Sequence, residues 1–292
     1  MQLLVNALIA GSLAALIAGG LSLVFGILGV YNLALGQTVL VGGFAAWWLR
    51  QVAGLPLALA IPGGIVAGAL LSWLTFDVFI RPFYRRHIRL PLVTTIALGM
   101  ILDGLIILLF GERPRAILRE TKRVFDAGAF QISLEQMMLI GFTLLILALF
   151  GWTLHHTAFG RRLRAVAQHD HAALSVGVDA PRLHRLIVVL SGTLAACGGI
   201  FIGIDQNLSP TLAFPLTIKA YAAVIAGGLG NVWGAIACAF LIALLEQLTV
   251  GIRWFGRFYV PAGYQATIPL LFIIFILLIK PSGLFQSGRR LG

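Results

Sequence analysis

Residues 157–185, TAFGRRLRAVAQHDHAALSVGVDAPRLHR, form the longest stretch of this chain whose composition suits water. The segments on either side of it, residues 137–154 and 186–204, are apolar and carry no charged residue. An α-helix needs roughly 20 apolar residues to cross the hydrocarbon core of a bilayer. The arrangement therefore predicts a polar loop between two membrane-spanning helices.

The composition of the whole chain agrees with this interpretation. Of the 292 residues, 60% are hydrophobic and only 11% are charged, whereas a soluble domain carries about 25% charged residues. Because so few polar residues cannot cover a surface in water, the solvent must be lipid. Eight or nine spanning helices would use most of the length. We therefore expect an all-α polytopic membrane protein in which residues 1–292 form a single domain.

Two of the apolar segments are interrupted by glycine-rich breaks, at residues 29–36 and 227–234. Besides residues 137–154 and 186–204, the apolar runs cover residues 3–28, 33–49, 55–80, 92–110, 216–250 and 266–279. The first break lies where the first of these runs gives way to the second, and the second break lies within residues 216–250. Paired broken helices in corresponding halves are a common way for transporters to build a path through the membrane. The breaks thus favour a two-half pseudo-repeat.

The net charge of +11 would suggest nucleic-acid binding in a soluble protein, but here the basic residues cluster between apolar runs. Such clusters contact lipid headgroups and set the topology, so we expect no nucleic-acid partner. By alternation of the runs, residues 81–89, 157–185 and 280–292 share one side and hold 12 of the 21 Lys and Arg residues. The positive-inside rule places this side, with the C-terminus, in the cytoplasm. Nine crossings would put the N-terminus outside, and eight would put it inside.

Polar residues within the apolar runs are candidates for a translocation path. Unwound backbone inside a bilayer is tolerated only where it meets protein or a water-filled cavity, and this selects residues beside the breaks: Tyr31, Asn32, Gln37, Thr38, Gly228 and Asn231. Asp103 and Glu246 also lie well inside apolar runs, where ionised groups are costly and are functional candidates by default. Two alternatives stay open: close helix packing at the glycines, and interhelical hydrogen bonds from protonated carboxyl groups.

The polar stretch at residues 157–185 has an internal order of its own. It begins with Arg161, Arg162 and Arg164, and a short helix is expected over residues 165–175. Gly177 ends that helix, and Asp179 with Pro181 can start the next one as N-cap and first-turn residues. The expected geometry is a helix, a tight turn and a second helix entering the membrane, which can move as a rigid body. The alternative is an ordinary positive-inside loop.

Within this stretch, HAALSVGVD at residues 171–179 resembles the Glu-Ala-Ala…Gly loop of ABC importer permeases, the segment that docks on the ATPase. Its surroundings resemble the branched-chain amino acid permease family (LivH type). Three further segments resemble the same family: GLSLVFGILGVYNLALGQ at 20–37, KAYAAVIAGGLGNVWGA at 219–235 and KPSGLF at 280–285. The matches are spread in order from about residue 20 to residue 285.

The resemblance implies the permease subunit of an ABC importer, which passes a branched-chain or other small hydrophobic amino acid across the inner membrane. It implies four partners besides membrane lipid: two cytoplasmic ATP-binding subunits that hold ATP and Mg²⁺, a second related permease subunit, and an extracytoplasmic substrate-binding protein. This chain itself would need no cofactor. The ATPase-coupling residues would be Arg161, Arg164, His171, Ala172, Ala173, Gly177 and Asp179.

Two positions depart from the family's pattern. The family usually has His before the glycine of its first motif, where this chain has Leu35, and an acidic residue begins the coupling triplet, where this chain has His171. The first departure leaves the substrate open, and an importer of urea or short amides, whose branch shares these motifs, is an alternative within the class. A stand-alone ion-coupled transporter is an alternative from a different class. The sequence contains no G-x-x-x-x-G-K-[ST] motif for ATP, and we expect neither a metal site nor an enzyme.

Overall fold

The computed structural model describes residues 2–84, 90–118, 124–126, 131–168, 173, 175, 177–251 and 267–285. Most of them are helical. The helices are α1 Gln2–Leu28, α2 Leu35–Gln51, α3 Leu57–Leu74, α4 Leu90–Phe110, α5 Leu134–His156, α6 Ala158–Gln168, α7 Ala180–Asp205, α8 Ala213–Gly227, α9 Val232–Gly251 and α10 Thr267–Ile279.

Three shorter features complete the described chain. Helix α3 continues through a π-helical segment, Thr75–Ile80, and a last turn, Arg81–Tyr84. A 3₁₀ turn, Pro210–Leu212, precedes α8. Strands β1 (Val124–Asp126) and β2 (Gln131–Ser133) form an antiparallel hairpin, which the sequence did not predict.

Seven helices in the described part of the chain are long and apolar enough to cross a membrane. They are α1, α3 with its extension, α4, α5, α7, α8 with the preceding 3₁₀ turn, and α9 to Thr249. Helix α10 is a shorter apolar helix of 13 residues, and α2 has 17 residues. The all-α polytopic class is confirmed.

Contacts between helix termini divide the described part into two ends. At one end, Gln136 Nε2 donates to Asp205 Oδ1 at 2.9 Å. At the other, Arg185 Nε donates to Asp77 Oδ1 at 3.1 Å. We call the second the basic end, because it carries Arg81, Arg161, Arg162, Arg164, Arg182, Arg185 and Lys280. The first is the opposite end.

Nine described helices, α1–α5 and α7–α10, run alternately between these ends, and α6 lies at the basic end. The alternation begins at the opposite end, where the Gln2 side chain hydrogen-bonds the backbone of Gln131. It finishes at the basic end, where residues 280–285 meet the turn between α8 and α9. Seven of these described helices meet the length and hydropathy of a spanning helix, so the choice between eight and nine crossings stays a prediction. A two-half pseudo-repeat stays a prediction.

Helix α2 lies at the centre of the bundle, with Val39, Leu40 and Phe44 fully buried. Its neighbours approach through small residues: a Cβ added to Gly199 of α7 would overlap the carbonyl oxygen of Val39. A Cβ added to Gly42 would lie 2.6 Å from that of Ala196. In lipid, helices associate through such close packing and through hydrogen bonds, since lipid tails are as apolar as the side chains.

The close approach of α7 to α2 gives a first prediction. The Gly199→Ala substitution should lower the unfolding free energy by about 1–3 kcal/mol, because an added methyl group forces two backbones apart. Thermal unfolding of the purified protein in detergent measures this. Gly104→Ala is the matched control, since a Cβ at Gly104 meets no atom of the described residues within 4 Å. Equal melting temperatures for the two variants would contradict the packing argument.

Candidate functional site

The two glycine-rich breaks meet at the basic end of the bundle. Residues 29–34 separate α1 from α2, and residues 228–231 separate α8 from α9. A Cβ added to Gly26 would lie 3.0 Å from the Cα of Gly230. Likewise, a Cβ added to Gly227 would overlap the backbone of Gly234. These approaches are the close helix packing given above as the alternative for the glycines of the breaks, and a path role for Gly228 stays a prediction.

Polar side chains at the first break form hydrogen bonds with nearby backbone groups. Asn32 is buried, and its Oδ1 accepts from the amide of Ala34 at 3.1 Å, just before α2 begins. Thr38 Oγ1 donates to the Ala34 carbonyl at 3.2 Å. The half-buried ring of Tyr31 lies 4.8 Å from that of Phe25 and 6.1 Å from that of Tyr221. The unwound segment is thus satisfied by protein, and its path role stays a prediction.

A carboxylate–amide contact joins α2 to α4. Gln37 Nε2 lies 3.2 Å from both carboxylate oxygens of Asp103. Gln37 is 5% exposed, whereas Asp103 is half-buried on α4. Among the described residues, Gln37 Oε1 has no hydrogen-bond partner and Asp103 has no basic partner. The pair therefore presents more acceptors than donors within the bundle.

An ion pair joins α8 to α9. Lys219 Nζ contacts Glu246 Oε2, and Glu246 is 2% exposed. Both side chains line a cavity of about 680 Å³ between α1, α7, α8, α9 and α10. Lys219 is a site residue that the sequence reasoning missed. A signal was present, because Lys219 and Glu246 are the only charged residues between Asp205 and Arg253.

Gly228 and Asn231 lie apart from both charged pairs, at the basic end. Gly228 has φ +102°, a conformation that glycine adopts readily. Asn231 Oδ1 accepts from Gly234 N at 3.0 Å at the start of α9, and its Nδ2 donates to Phe285 O at 3.0 Å. The amide of Leu284 donates to Ala226 O at 2.8 Å. These bonds fasten residues 280–285 to the second break.

Helix α6 starts earlier than the sequence predicted. The expected start at residue 165 is wrong, because Thr157 Oγ1 accepts from the amide of Gly160 at 3.3 Å and allows the helix to begin at Ala158. Leu163 and Val166 are buried, and Arg161 is exposed. The helix therefore lies with one face against the bundle and its basic face outward.

Arg164 is directed back into the protein instead. Its Nη1 donates to the carbonyl of Leu154 at 2.6 Å, in the last turn of α5. A cationic side chain on a terminal carbonyl also suits the negative end of the helix dipole. Arg164 thereby attaches α6 to the end of α5.

The turn after α6 follows the predicted pattern where it is described. Gly177 has φ +82°, and the amide of Val178 donates to Ala173 O at 3.0 Å. Asp179 Oδ1 accepts from Arg182 N at 3.1 Å, which confirms it as the N-cap of α7. His171 and Ala172 lie outside the described residues.

A second ion pair ties the start of α7 to α3. Arg185 Nε and Nη2 each lie 3.1 Å from Asp77 Oδ1, and Arg81 Nη1 lies 3.6 Å from the same oxygen. Asp77 belongs to the π-helical segment, a feature that is rare and frequently found at functional sites. The ring of Tyr84 packs on that of His184 at 5.8 Å. The element that leaves the Gly177 turn is thus fixed to a second helix.

Seven described helices are long and apolar enough to cross a membrane, and Asp103, Lys219 and Glu246 lie within them, which is typical of a polytopic membrane protein with functional polar sites. Residues 3–278 match the sequence model of a family described as the permease component of the branched-chain amino acid transport system. The chain belongs to this family, and the resemblance seen in its sequence motifs is confirmed.

Individual relatives cover nearly the whole chain. The branched-chain amino acid permease BraD of Pseudomonas aeruginosa is 28% identical over 298 residues, covering 97% of this chain and 95% of BraD. A probable branched-chain amino acid permease, LivH, of Methanocaldococcus jannaschii is also 28% identical, covering 97% of this chain and 91% of LivH. Among solved structures, PsaBC from Streptococcus pneumoniae has a TM-score of 0.50 at 19% identity, covering 97% and 93% of the two chains. That likeness concerns the fold alone.

The attachment of α7 to α3 gives the second prediction. A double-mutant cycle of Arg185→Ala and Asp77→Ala, followed by thermal unfolding, should show a coupling free energy of about 1 kcal/mol, because the two residues are in direct contact. The surface pair Arg182–Asp179, with exposed fractions of 84% and 47%, is the control. With Asp179→Asn, which keeps the cap, its coupling should stay below about 0.5 kcal/mol. Equal coupling in both pairs would count against a fixed α3–α7 junction.

Proposed function

We propose that this chain is the membrane-spanning permease subunit of an ABC importer for a branched-chain or other small hydrophobic amino acid. The observation that carries the proposal is the match of the family model over residues 3–278. The amphipathic helix α6 supports it, because it lies where a driving subunit could contact the bundle. The chain carries out transport, and ATP with Mg²⁺ would be held by its partners.

The basic end is proposed to face the cytoplasm. The positive-inside rule supports this orientation, since the end carries seven described Lys and Arg residues. The opposite end carries fewer described cations, Arg50, Arg113 and Arg115, and it also carries the acidic residues Glu112 and Glu135. In this orientation the N-terminus is outside the cell and residue 285 is in the cytoplasm.

Coupling to ATP hydrolysis is proposed to act through α6 and the turn at Gly177. The coupling residues are Arg161, Arg164, His171, Ala172, Ala173, Gly177 and Asp179. Two cytoplasmic ATP-binding subunits would contact the exposed face of α6. Because Arg164 attaches α6 to α5, and Asp77 attaches the start of α7 to α3, a displacement of the turn would move three helices together. Such a rigid-body shift can switch a cavity between outward and inward access.

The path is proposed to involve Tyr31, Asn32, Gln37, Thr38, Asp103, Gly228, Asn231 and Glu246. Asp103 supports a second, related permease subunit, because a half-exposed carboxylate on a spanning helix suits a protein neighbour or a water-filled path rather than lipid. An extracytoplasmic binding protein would deliver the substrate to the opposite end.

The coupling role gives the third prediction. In the assembled transporter, Gly177→Val should lower the number of substrate molecules taken up per ATP hydrolysed while leaving membrane insertion intact. The left-handed backbone at Gly177 disfavours a β-branched residue by about 1–2 kcal/mol, so the turn must rearrange. Uptake and ATPase assays in proteoliposomes measure the ratio.

Gly54→Val is the matched control, because Gly54 has φ +68° at the opposite end. At both glycines a Cβ meets no atom of the described residues within 4 Å. If the two variants show the same ratio as the unmodified protein, the turn has no coupling role.

Partner docking gives the fourth prediction. Purification of the chain should bring ATP-binding subunits with it, and the double variant Arg161→Glu with Arg162→Glu should recover markedly less of them, because it reverses the charge of the exposed face of α6. Arg113→Glu at the opposite end is the control and should recover the normal amount. Absence of ATP-binding subunits from the unmodified preparation would favour a stand-alone ion-coupled transporter.

A further inference from the structure

We infer that the cavity between α1, α7, α8, α9 and α10 is a binding site for a zwitterionic α-amino acid, with Lys219 contacting its carboxylate and Glu246 its ammonium group. The inference rests on the proposed function and names the chemical class that this part of the path accepts. It assigns to Lys219, on α8, a direct contact with the substrate.

The position of the cavity suits a substrate that arrives from the opposite end. Gln206 and Phe214, which line it near that end, are exposed. Lys219 and Glu246 lie further along α8 and α9, within the bundle. The volume of about 680 Å³ is within the roughly 300–1,000 Å³ of small-molecule sites. A small amino acid therefore has room to reach the charged pair.

The lining has two chemical parts. The side chains of Leu13, Ile17 and Leu216 form an apolar wall, which stabilises an aliphatic side chain by removing it from water. Lys219 and Glu246 provide one positive and one negative group on the same cavity. A single molecule that carries both charges and a short aliphatic group matches all of these features.

The ion pair also gives each of the two charges a partner before a substrate binds. Two isolated charges inside a membrane protein are costly unless they are paired, and here each neutralises the other. A zwitterion carries a carboxylate that can pair with Lys219 and an ammonium group that can pair with Glu246, so both side chains keep a partner when it binds. A simple amine or a simple carboxylate would leave one side chain unpaired, and neutral urea would replace neither partner.

The side chains of Lys219 and Glu246 differ in their exposure to solvent. The side chain of Lys219 is 21% exposed, whereas that of Glu246 is 3% exposed. Lys219 is therefore the group that an entering substrate reaches first. The carboxylate would contact Lys219 and loosen the ion pair before the ammonium group reaches Glu246.

The first test removes both charges in the complete transporter with its ATP-binding subunits and binding protein. Lys219→Met with Glu246→Leu replaces a buried ion pair by apolar groups of similar size, a change that often leaves stability unaltered. Leucine uptake should fall by about 10- to 100-fold, because two charge-assisted contacts are lost. Lys219→Arg with Glu246→Asp keeps both charges and should retain most of the uptake. Equal uptake by the charge-free and unmodified transporters would overturn the site.

The second test keeps the ion pair and so does not depend on how the charge-free variant folds. Leu216→Cys, in a Cys197→Ala and Cys238→Ala background, places one thiol on the cavity wall. A membrane-impermeant thiol reagent added from the extracytoplasmic side should label it, and leucine should slow the labelling. At the same concentration, 4-methylpentanoate, 3-methylbutylamine and acetamide should not. Absent labelling, or equal protection by a one-charge or neutral analogue, would overturn the inference.

Different experimental results would refute the proposed transport function and the proposed binding site. An unmodified transporter that takes up no amino acid refutes the proposed function. Normal leucine uptake that is unaffected by removal of the charges, without protection of the thiol, refutes the cavity site alone.

Discussion

The lipid environment imposes one condition on which the structure depends: each backbone polar group in the bilayer must find its partner within the protein. The helical segments satisfy this by themselves, but the two breaks do not. At the first break, Thr95 Oγ1 accepts from Leu33 N at 3.2 Å and Asn32 accepts from Ala34 N. At the second, Asn231 caps α9 and residues 280–285 supply further bonds. Glycine contacts then let the two breaks pack together, so unwound backbone is held at the meeting point of four helices.

The charged side chains also need partners within the protein, and these partners differ among Asp77, Glu246 and Asp103. Asp77 lies at the basic end, where Arg185 and Arg81 compensate it and connect two helices. Glu246 is compensated by Lys219, yet both line a cavity, so this pair can exchange partners. Asp103 receives only a neutral amide among the described residues and is half-exposed. In the function proposed above, the attachment at the basic end would transmit movement, whereas the interior pairs would meet a substrate or a neighbouring subunit.

Local sequence predicted much of the architecture. The apolar runs, the two breaks, the turn at Gly177 and the Asp179 cap depend on residues that are close together in the chain, and each was found as expected. Other features were missed. The early start of α6 depends on a local hydrogen bond to the Thr157 side chain, whereas the buried position of Ile117, within a polar stretch, depends on a backbone bond to the distant Gly203. The partners of Glu246 and Asp103 lie 27 and 66 residues away, so neither pairing follows from the pattern of a single helix.

By itself, the sequence determined that this chain is a helical membrane protein, where its helices break, that its basic loops share one end and which family its motifs resemble. These properties follow from composition, from the length of apolar runs and from short motifs, all of which act locally. Only the tertiary structure decided which polar side chains meet, which of them line a cavity and which merely cap a helix. Asn32 and Glu246 look alike as polar residues in apolar runs, but one satisfies its own backbone and the other faces a cavity with Lys219. The physical reason is that helix–helix packing sets the depth and direction of each side chain.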